Sequence, residues 1–326
     1  AVFVVAVSGW YLLKRREQEM ARQSIKIASI VGIVASVLTM ATGDFSAVKV
    51  AETQPMKLAA MEGLYDGSHG QEIVAFGILN HDKQPGDNAE PYLFDISIPY
   101  GLSILATHNA DAFVPGVNDL IKGISFTPEG DTTNTVSYAE RIARGKAAQQ
   151  SLEKYHEAKQ TGDTAAMAIH AEAMKADFDY FGYGYLSSPE EAIPNIPLTF
   201  YTFHAMVILG GYLLIFLIAS LLLAYKRGIM EKVRWASLFQ RLAIITIPLV
   251  YLCSICGWVV AEVGRQPWTI QDLMPNCVAI SDISAGYVQT TFVIFAVIFT
   301  ALLAADICII TKQISKKSKE NLDTAK

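Results

Sequence analysis

The stretch LTFYTFHAMVILGGYLLIFLIASLLLAY, residues 198–225, decides the class of fold. It contains no Asp, Glu, Lys or Arg, and a run of this kind is long enough as a helix to cross a hydrocarbon core of ~30 Å. Three further runs read the same way: Ile25–Thr42, Leu242–Ala261 and Tyr287–Ile310. Ala1–Leu13 is apolar from its first residue but too short to span. It lacks the basic start and the small-residue cleavage site of a signal peptide, and reads as the second half of a helix that begins upstream. The expected fold is an all-α integral membrane bundle of one truncated and four complete transmembrane helices.

Composition agrees. Of 326 residues, 52% are hydrophobic and 17% charged, which excludes a disordered, collagen-like or disulfide-rich chain. A net charge of −5 with no basic stripe excludes a nucleic-acid binder. Cys253, Cys256, Cys277 and Cys308 fall late in the chain, three of them in apolar runs, so no disulfide framework is expected.

Lys and Arg set the orientation. One basic connection carries Lys14, Arg15, Arg16, Arg22 and Lys26. A second carries Lys226, Arg227, Lys232, Arg234 and Arg241. The tail carries Lys312, Lys316, Lys317, Lys319 and Lys326. Between Gly264 and Gly286 stands Arg265 alone, with Asp272 and Asp282. The basic segments are expected on the cytoplasmic side. Four regions follow: 1–43, the first two helices with a basic loop; 44–197, a large extracytoplasmic loop domain; 198–311, three spans; and 312–326, a basic tail. The 44–197 region holds 10 Lys and Arg against 22 Asp and Glu. Strands are expected at Ile73–Leu79 and Tyr92–Ile98, and helix over Ser137–Asp177 with a break at Thr161-Gly-Asp.

Ionisable residues at a membrane helix are costly, so each is a functional candidate. Glu262 ends the third complete span. Trp258, Glu262 and Arg265, spaced i, i+4, i+7, share one helix face. An aromatic surface, a carboxylate and a guanidinium on one stripe suit a flat anionic cofactor. The alternative is a Glu–Arg ion pair beside an interfacial Trp. Met206 lies about nine residues into its span, ~13 Å deep, where a thioether is either an axial haem ligand or gap-filling core. His204, two residues earlier, points about 200° away around the helix and cannot serve the same metal face. Cys253-Ser-Ile-Cys256 has CxxC spacing but no polar surroundings, and reads as buried thiols. His69, His81, His108, His156 and His170 lack metal-ligand spacing and read as surface residues. Lys57 and Glu62, where the chain leaves the membrane, suit either a polar headgroup or a plain interfacial anchor.

The run Gly264-Arg265-Gln266-Pro267-Trp268, following Trp258 and Glu262, resembles the signature of subunit I of the cytochrome bd quinol oxidases. So do Gly9-Trp10-Tyr11-Leu12-Leu13-Lys14, Lys57-Leu58-Ala59-Ala60-Met61-Glu62 and Phe203-His204-Ala205-Met206-Val207, in order. The resemblance implies a terminal oxidase of a bacterial or archaeal inner membrane that oxidises membrane quinol and reduces dioxygen to water. It implies a low-spin haem b, a high-spin haem b and a haem d, with a second large subunit and a small single-helix subunit as partners. By the same resemblance Met206 matches the axial ligand of the low-spin haem and Glu262 the carboxylate ligand of the high-spin haem b. Trp258, Arg265 and the residue at His204 match the surround of the haems; His204 stands where the family usually has Arg. Lys57 and Glu62 match the quinol-binding pair of the family's outer Q loop, here residues 44–197. The remaining haem ligands would lie upstream of Ala1. The rival reading is a non-enzymatic transporter or sensor with an extracytoplasmic ligand domain. A transporter would carry mid-membrane helix breaks and inverted repeats, and neither is evident.

Overall fold

The structure, a computed structural model, describes residues 1–226 and 233–323. Arg227, Lys232 and Lys326, counted above among the basic segments, lie outside the described residues, as do the side chains of Lys316, Lys317 and Lys319. The chain divides into two units, Ala1–Ala279 and Ile280–Lys326.

In the first unit, α1 (Val2–Leu13), α2 (Gln18–Thr53), α8 (Ile196–Tyr225) and α9 (Val233–Val263) are the apolar helices. Between α2 and α8 stand α3 (Pro55–Glu62), β1 (Ser68–His69), β2 (Ile73–Leu79), β3 (Tyr92–Ile98), α4 (Gly101–Thr107), β4 (Phe113–Val114) and α5 (Val117–Lys122). Then come β5 (Ile124–Phe126), β6 (Thr132–Asn134), α6 (Tyr138–Thr161), α7 (Thr164–Ala176) and a 3-10 segment, Phe178–Tyr185. After α9 a small hairpin pairs β7 (Trp268–Ile270) with β8 (Met274–Pro275). The second unit holds one helix, α10 (Ala285–Asp323).

Among the described residues, four helices are long and apolar enough to cross a membrane: Gln18–Thr53, the segment Pro189–Tyr225, Arg234–Val263 and Ala285–Gln313. With the shorter Val2–Leu13 they match the expected one partial and four complete spans. This is an all-α membrane fold. α1 packs on α2 and α9, α2 on α8, and α8 on α9. Val5, Ile25, Phe216, Leu217, Phe239 and Ala243 form their common core. Ile30, Val31, Val34 and Leu38 of α2 are about half exposed or more, an apolar outer surface that suits lipid better than water. Arg22 and Lys26, read as loop charges, lie in the first turns of α2, and the Lys26 ammonium sits 4.2 Å from the centre of the Tyr225 ring at the far end of α8. α9 continues through Pro248 without a break.

The two expected strands form as read and pair antiparallel. Ser137 begins α6 by accepting from Glu140 N, and Asp163 begins α7 by accepting from Ala165 N and Ala166 N. Thr161-Gly-Asp is thus a stop followed by a cap. The outer segment does not stand apart from the spans. α2 continues to Thr53, past the expected end of its span, and one core unites Met56, Tyr65, Val117, Tyr138 and Tyr183 with Phe200 of α8 and Trp268 after α9.

Phe200 is fully buried, 5.9 Å from the Tyr92 ring and 4.0 Å from the His204 ring. Phe200→Ala is expected to cost about 3–5 kcal/mol by opening a cavity between α8 and the β2–β3 hairpin. Thermal unfolding of the detergent-solubilised protein measures it; an unchanged midpoint would mean that this core does not join the outer segment to the span.

Candidate functional site

The site begins with α3. Pro55 starts the helix in its first turn, and Gly63, in the left-handed region at φ 60°, stops it. Lys57 and Glu62 are five residues apart, so their side chains leave α3 about 140° apart. The two are not brought together: Lys57 faces α9, whereas Glu62 turns into the protein.

The Lys57 ammonium lies 3.4 Å from the carbonyl oxygen of Ala261, in the last turn of α9. The carbonyls of that turn carry the negative end of the helix, so a cation there is favoured. One residue on, Glu262 Oε2 accepts from Arg265 Nη2 at 2.5 Å. Burial, and then Arg265, lower the pKa of Lys57 from its ordinary value, with Glu262 pulling the other way. Sequence reading kept Lys57 and the Glu262–Arg265 pair as separate features. The fold makes them one cluster.

Glu62 is 2% exposed, and neither carboxyl oxygen has a hydrogen-bond partner among the described residues. Tyr92 donates to its main-chain carbonyl at 2.6 Å, not to its carboxylate. Burial pushes the acid up from 4.5 to about 8. A carboxyl of this kind holds its proton at neutral pH and takes or yields it readily.

Met206 is half-buried on α8, with its sulfur against Gly257 of α9: a Cβ there would lie 3.0 Å from Sδ. One turn further along α8, a Cβ on Gly210 would meet nothing within 4 Å. The thioether therefore stands beside an open glycine shelf. Trp258, next to Gly257, is 66% exposed. Arg265 Nε is buried and has no hydrogen-bond partner among the described residues, a donor left over from the pair with Glu262. A thioether beside open space, a bare indole, a carboxylate and a spare guanidinium donor fit a flat ring system with acidic side arms.

His204 does not join this face. Its Nδ1 lies 2.9 Å from the Phe200 carbonyl and its Nε2 2.7 Å from the Val74 carbonyl. Both ring nitrogens lie against main-chain carbonyls, so the side chain ties α8 to β2. The four cysteines are free, and among the described residues no group of three His, Cys, Asp or Glu could hold a metal ion.

One cluster escaped sequence reading. Arg141 Nη1 donates to the Tyr183 hydroxyl at 3.0 Å, and that hydroxyl donates to Asp272 Oδ1 at 2.5 Å. The three residues come from distant segments, and only the run Gly182-Tyr183-Gly184, a tyrosine between two small residues, could have hinted at close packing.

With this geometry in place, comparison with known proteins becomes informative. The family model for cytochrome bd terminal oxidase subunit I matches residues 1–318. The chain belongs to this family. It is 30% identical over 333 residues to cytochrome bd-II ubiquinol oxidase subunit 1 of Escherichia coli (strain K12), covering 96% of this chain and 58% of that protein. It is 26% identical over 323 residues to cytochrome bd ubiquinol oxidase subunit 1 of Bacillus subtilis (strain 168), covering 98% and 54%. The structure of bd oxidase from Geobacillus thermodenitrificans is similar in fold, with a TM-score of 0.62 at 22% identity, over 97% of this chain and 54% of that one. This member of the bd subunit I family thus spans little more than half the length of the relatives it matches.

A prediction follows for Glu62. Its folded pKa of about 8 lies above the ordinary 4.5, so the native state binds the extra proton. Stability from this group is complete below pH 4.5, falls as pH rises, and is lost above about 8, a change of about 5 kcal/mol. The melting temperature of the wild type should fall over that window, and Glu62→Gln, which cannot ionise, should remove the slope. Parallel curves for the two proteins would contradict the buried, unpaired carboxyl.

Proposed function

We propose that this chain is the part of a cytochrome bd-type quinol oxidase subunit I that takes electrons and protons from membrane quinol and passes the electrons towards dioxygen. The observation that carries the reading is the placement of Lys57 against the Glu262–Arg265 pair at the end of α9. It joins a base at the outer loop to a carboxylate at a membrane helix end, within a chain of the bd subunit I family.

Lys57 is the hydrogen-bond donor to a quinol oxygen, its ammonium made easier to deprotonate by burial beside Arg265. Glu62, raised to about 8, accepts a quinol proton in the fraction of molecules where its carboxyl is ionised, and must release that proton before it takes another. Met206 would hold a low-spin haem b through its thioether, and Glu262 a high-spin haem b through its carboxylate. Trp258 gives the ring face, and the spare Arg265 Nε a donor for an acidic side arm. The bound haems, with a haem d whose ligands belong to the rest of the subunit, supply electron transfer and the binding and reduction of dioxygen. A second subunit and a small single-helix subunit complete the assembly.

The basic connections lie on the cytoplasmic face of a bacterial or archaeal inner membrane and residues 44–197 outside, following the alternation of charge along the chain. Quinol protons then leave on the outer side. The Lys26–Tyr225 contact supports this arrangement, because it sets the start of α2 and the end of α8 on one side of the bundle.

Met206→Leu keeps the volume of the side chain and removes the sulfur. In the full-length subunit it should abolish or shift the low-spin b band in the reduced spectrum, while the protein stays in the membrane. An unchanged band would leave Met206 as packing against Gly257 and remove the low-spin haem from α8.

A further inference from the structure

The Arg141–Tyr183–Asp272 cluster has no part in the reading above, yet it joins α6, the 3-10 segment and the loop after α9. Tyr183 is 1% exposed, with its ring 4.8 Å from the Trp268 ring and 5.6 Å from the Tyr138 ring, both edge-on. Its hydroxyl accepts from Arg141 and donates to Asp272, and Gln271 Nε2 donates to the same Asp272 oxygen at 3.0 Å. Burial, Tyr138 and Asp272 together push the phenol far above its ordinary pKa, so the hydroxyl remains a donor.

The glycines on either side make the contact a wedge. A Cβ on Gly184 would lie 2.6 Å from the main chain of Gly145 on α6, and one on Gly182 would lie 2.6 Å from the main chain of Leu273. The 3-10 segment is thus pressed backbone to backbone between α6 and the loop after α9. That loop begins immediately beyond Glu262 and carries Arg265. Arg141, Tyr183 and Asp272 line a pocket of about 50 Å³ together with Pro55 and Met56, the residues that precede Lys57.

We infer that Arg141, Tyr183 and Asp272 are positioning residues, a latch that fixes loop 264–275 against α6 and so holds Arg265 and the first turn of α3 in register for quinol. The inference rests on the quinol oxidase reading. None of the three touches the reacting groups. They act through Lys57 and Arg265, which share the end of α9.

The test uses the full-length oxidase with its partner subunits, a soluble quinol, and an artificial electron donor that bypasses the quinol site. Tyr183→Phe keeps the ring and its packing and removes both hydrogen bonds. Asp272→Ala removes the acceptor, and Asp272→Asn retains one. Tyr183→Phe and Asp272→Ala should each raise the quinol KM about three- to tenfold, the range expected for one lost hydrogen bond. Haem spectra and turnover with the artificial donor should be unchanged. The double variant should be no worse than either single one, Asp272→Asn should stay near wild type, and amide hydrogen exchange across residues 268–275 should quicken in Tyr183→Phe. An unchanged quinol KM, or effects that multiply in the double variant, would overturn the latch. So would a parallel fall of both activities with loss of haem, which would make the cluster a fold staple. A wild-type protein without quinol oxidation would fail the functional reading itself, and the hydrogen exchange would then report a latch that serves no quinol site.

Discussion

The end of α9 is where the structure concentrates its electrostatic demands. A helix that is apolar for most of its length terminates at its negative end beside a carboxylate, and both favour positive charge close by. Arg265, three residues on, meets Glu262, and Lys57 meets the Ala261 carbonyl. Once Lys57 is held there, α3 must lie against the end of α9. The turn of α3 then carries Glu62 inward, where it loses solvent and retains its proton. One local requirement thereby sets the places of three charged residues.

The outer segment then serves as a brace. Its core takes Phe200 from α8 and Trp268 from beyond α9, so the two spans that carry Met206 and Glu262 are joined outside the membrane as well as within it. His204 adds a polar tie from α8 to the β2–β3 hairpin. Met206 and Glu262 are therefore presented by helices fixed at both levels, as a site of set geometry requires.

Much of the fold was legible in the sequence because membrane spans and caps are local signals. The apolar runs gave the spans, the stretch from Ser137 with its break at Thr161-Gly-Asp gave α6 and α7, and short runs bounded by Pro and Gly gave β2 and β3. The site was legible in part. Glu262 and Arg265 are three residues apart, and although α9 ends at Val263 between them, their pairing follows from that short spacing. Lys57 meets Ala261 across 204 residues of chain, which no periodicity reports. Only the family resemblance set His204 in the surround of the haems. Its actual partners are a carbonyl of its own helix and one from a strand 130 residues away. The Arg141–Tyr183–Asp272 cluster was hidden for the same reason: all three residue types are ordinary in a polar segment until the fold brings them together.

The central claim is that Glu262 serves more than its ion pair with Arg265. Its direct test is the content of each haem in full-length Glu262→Gln, read separately by reduced-minus-oxidised spectra. An amide still pairs with a guanidinium at the membrane boundary but is a poor ligand for iron. The account predicts loss or perturbation of the high-spin haem together with oxygen reduction, while the haem at Met206 remains reducible by quinol. Retention of both haems with full oxygen consumption would contradict it and leave Glu262 as the partner of Arg265 alone.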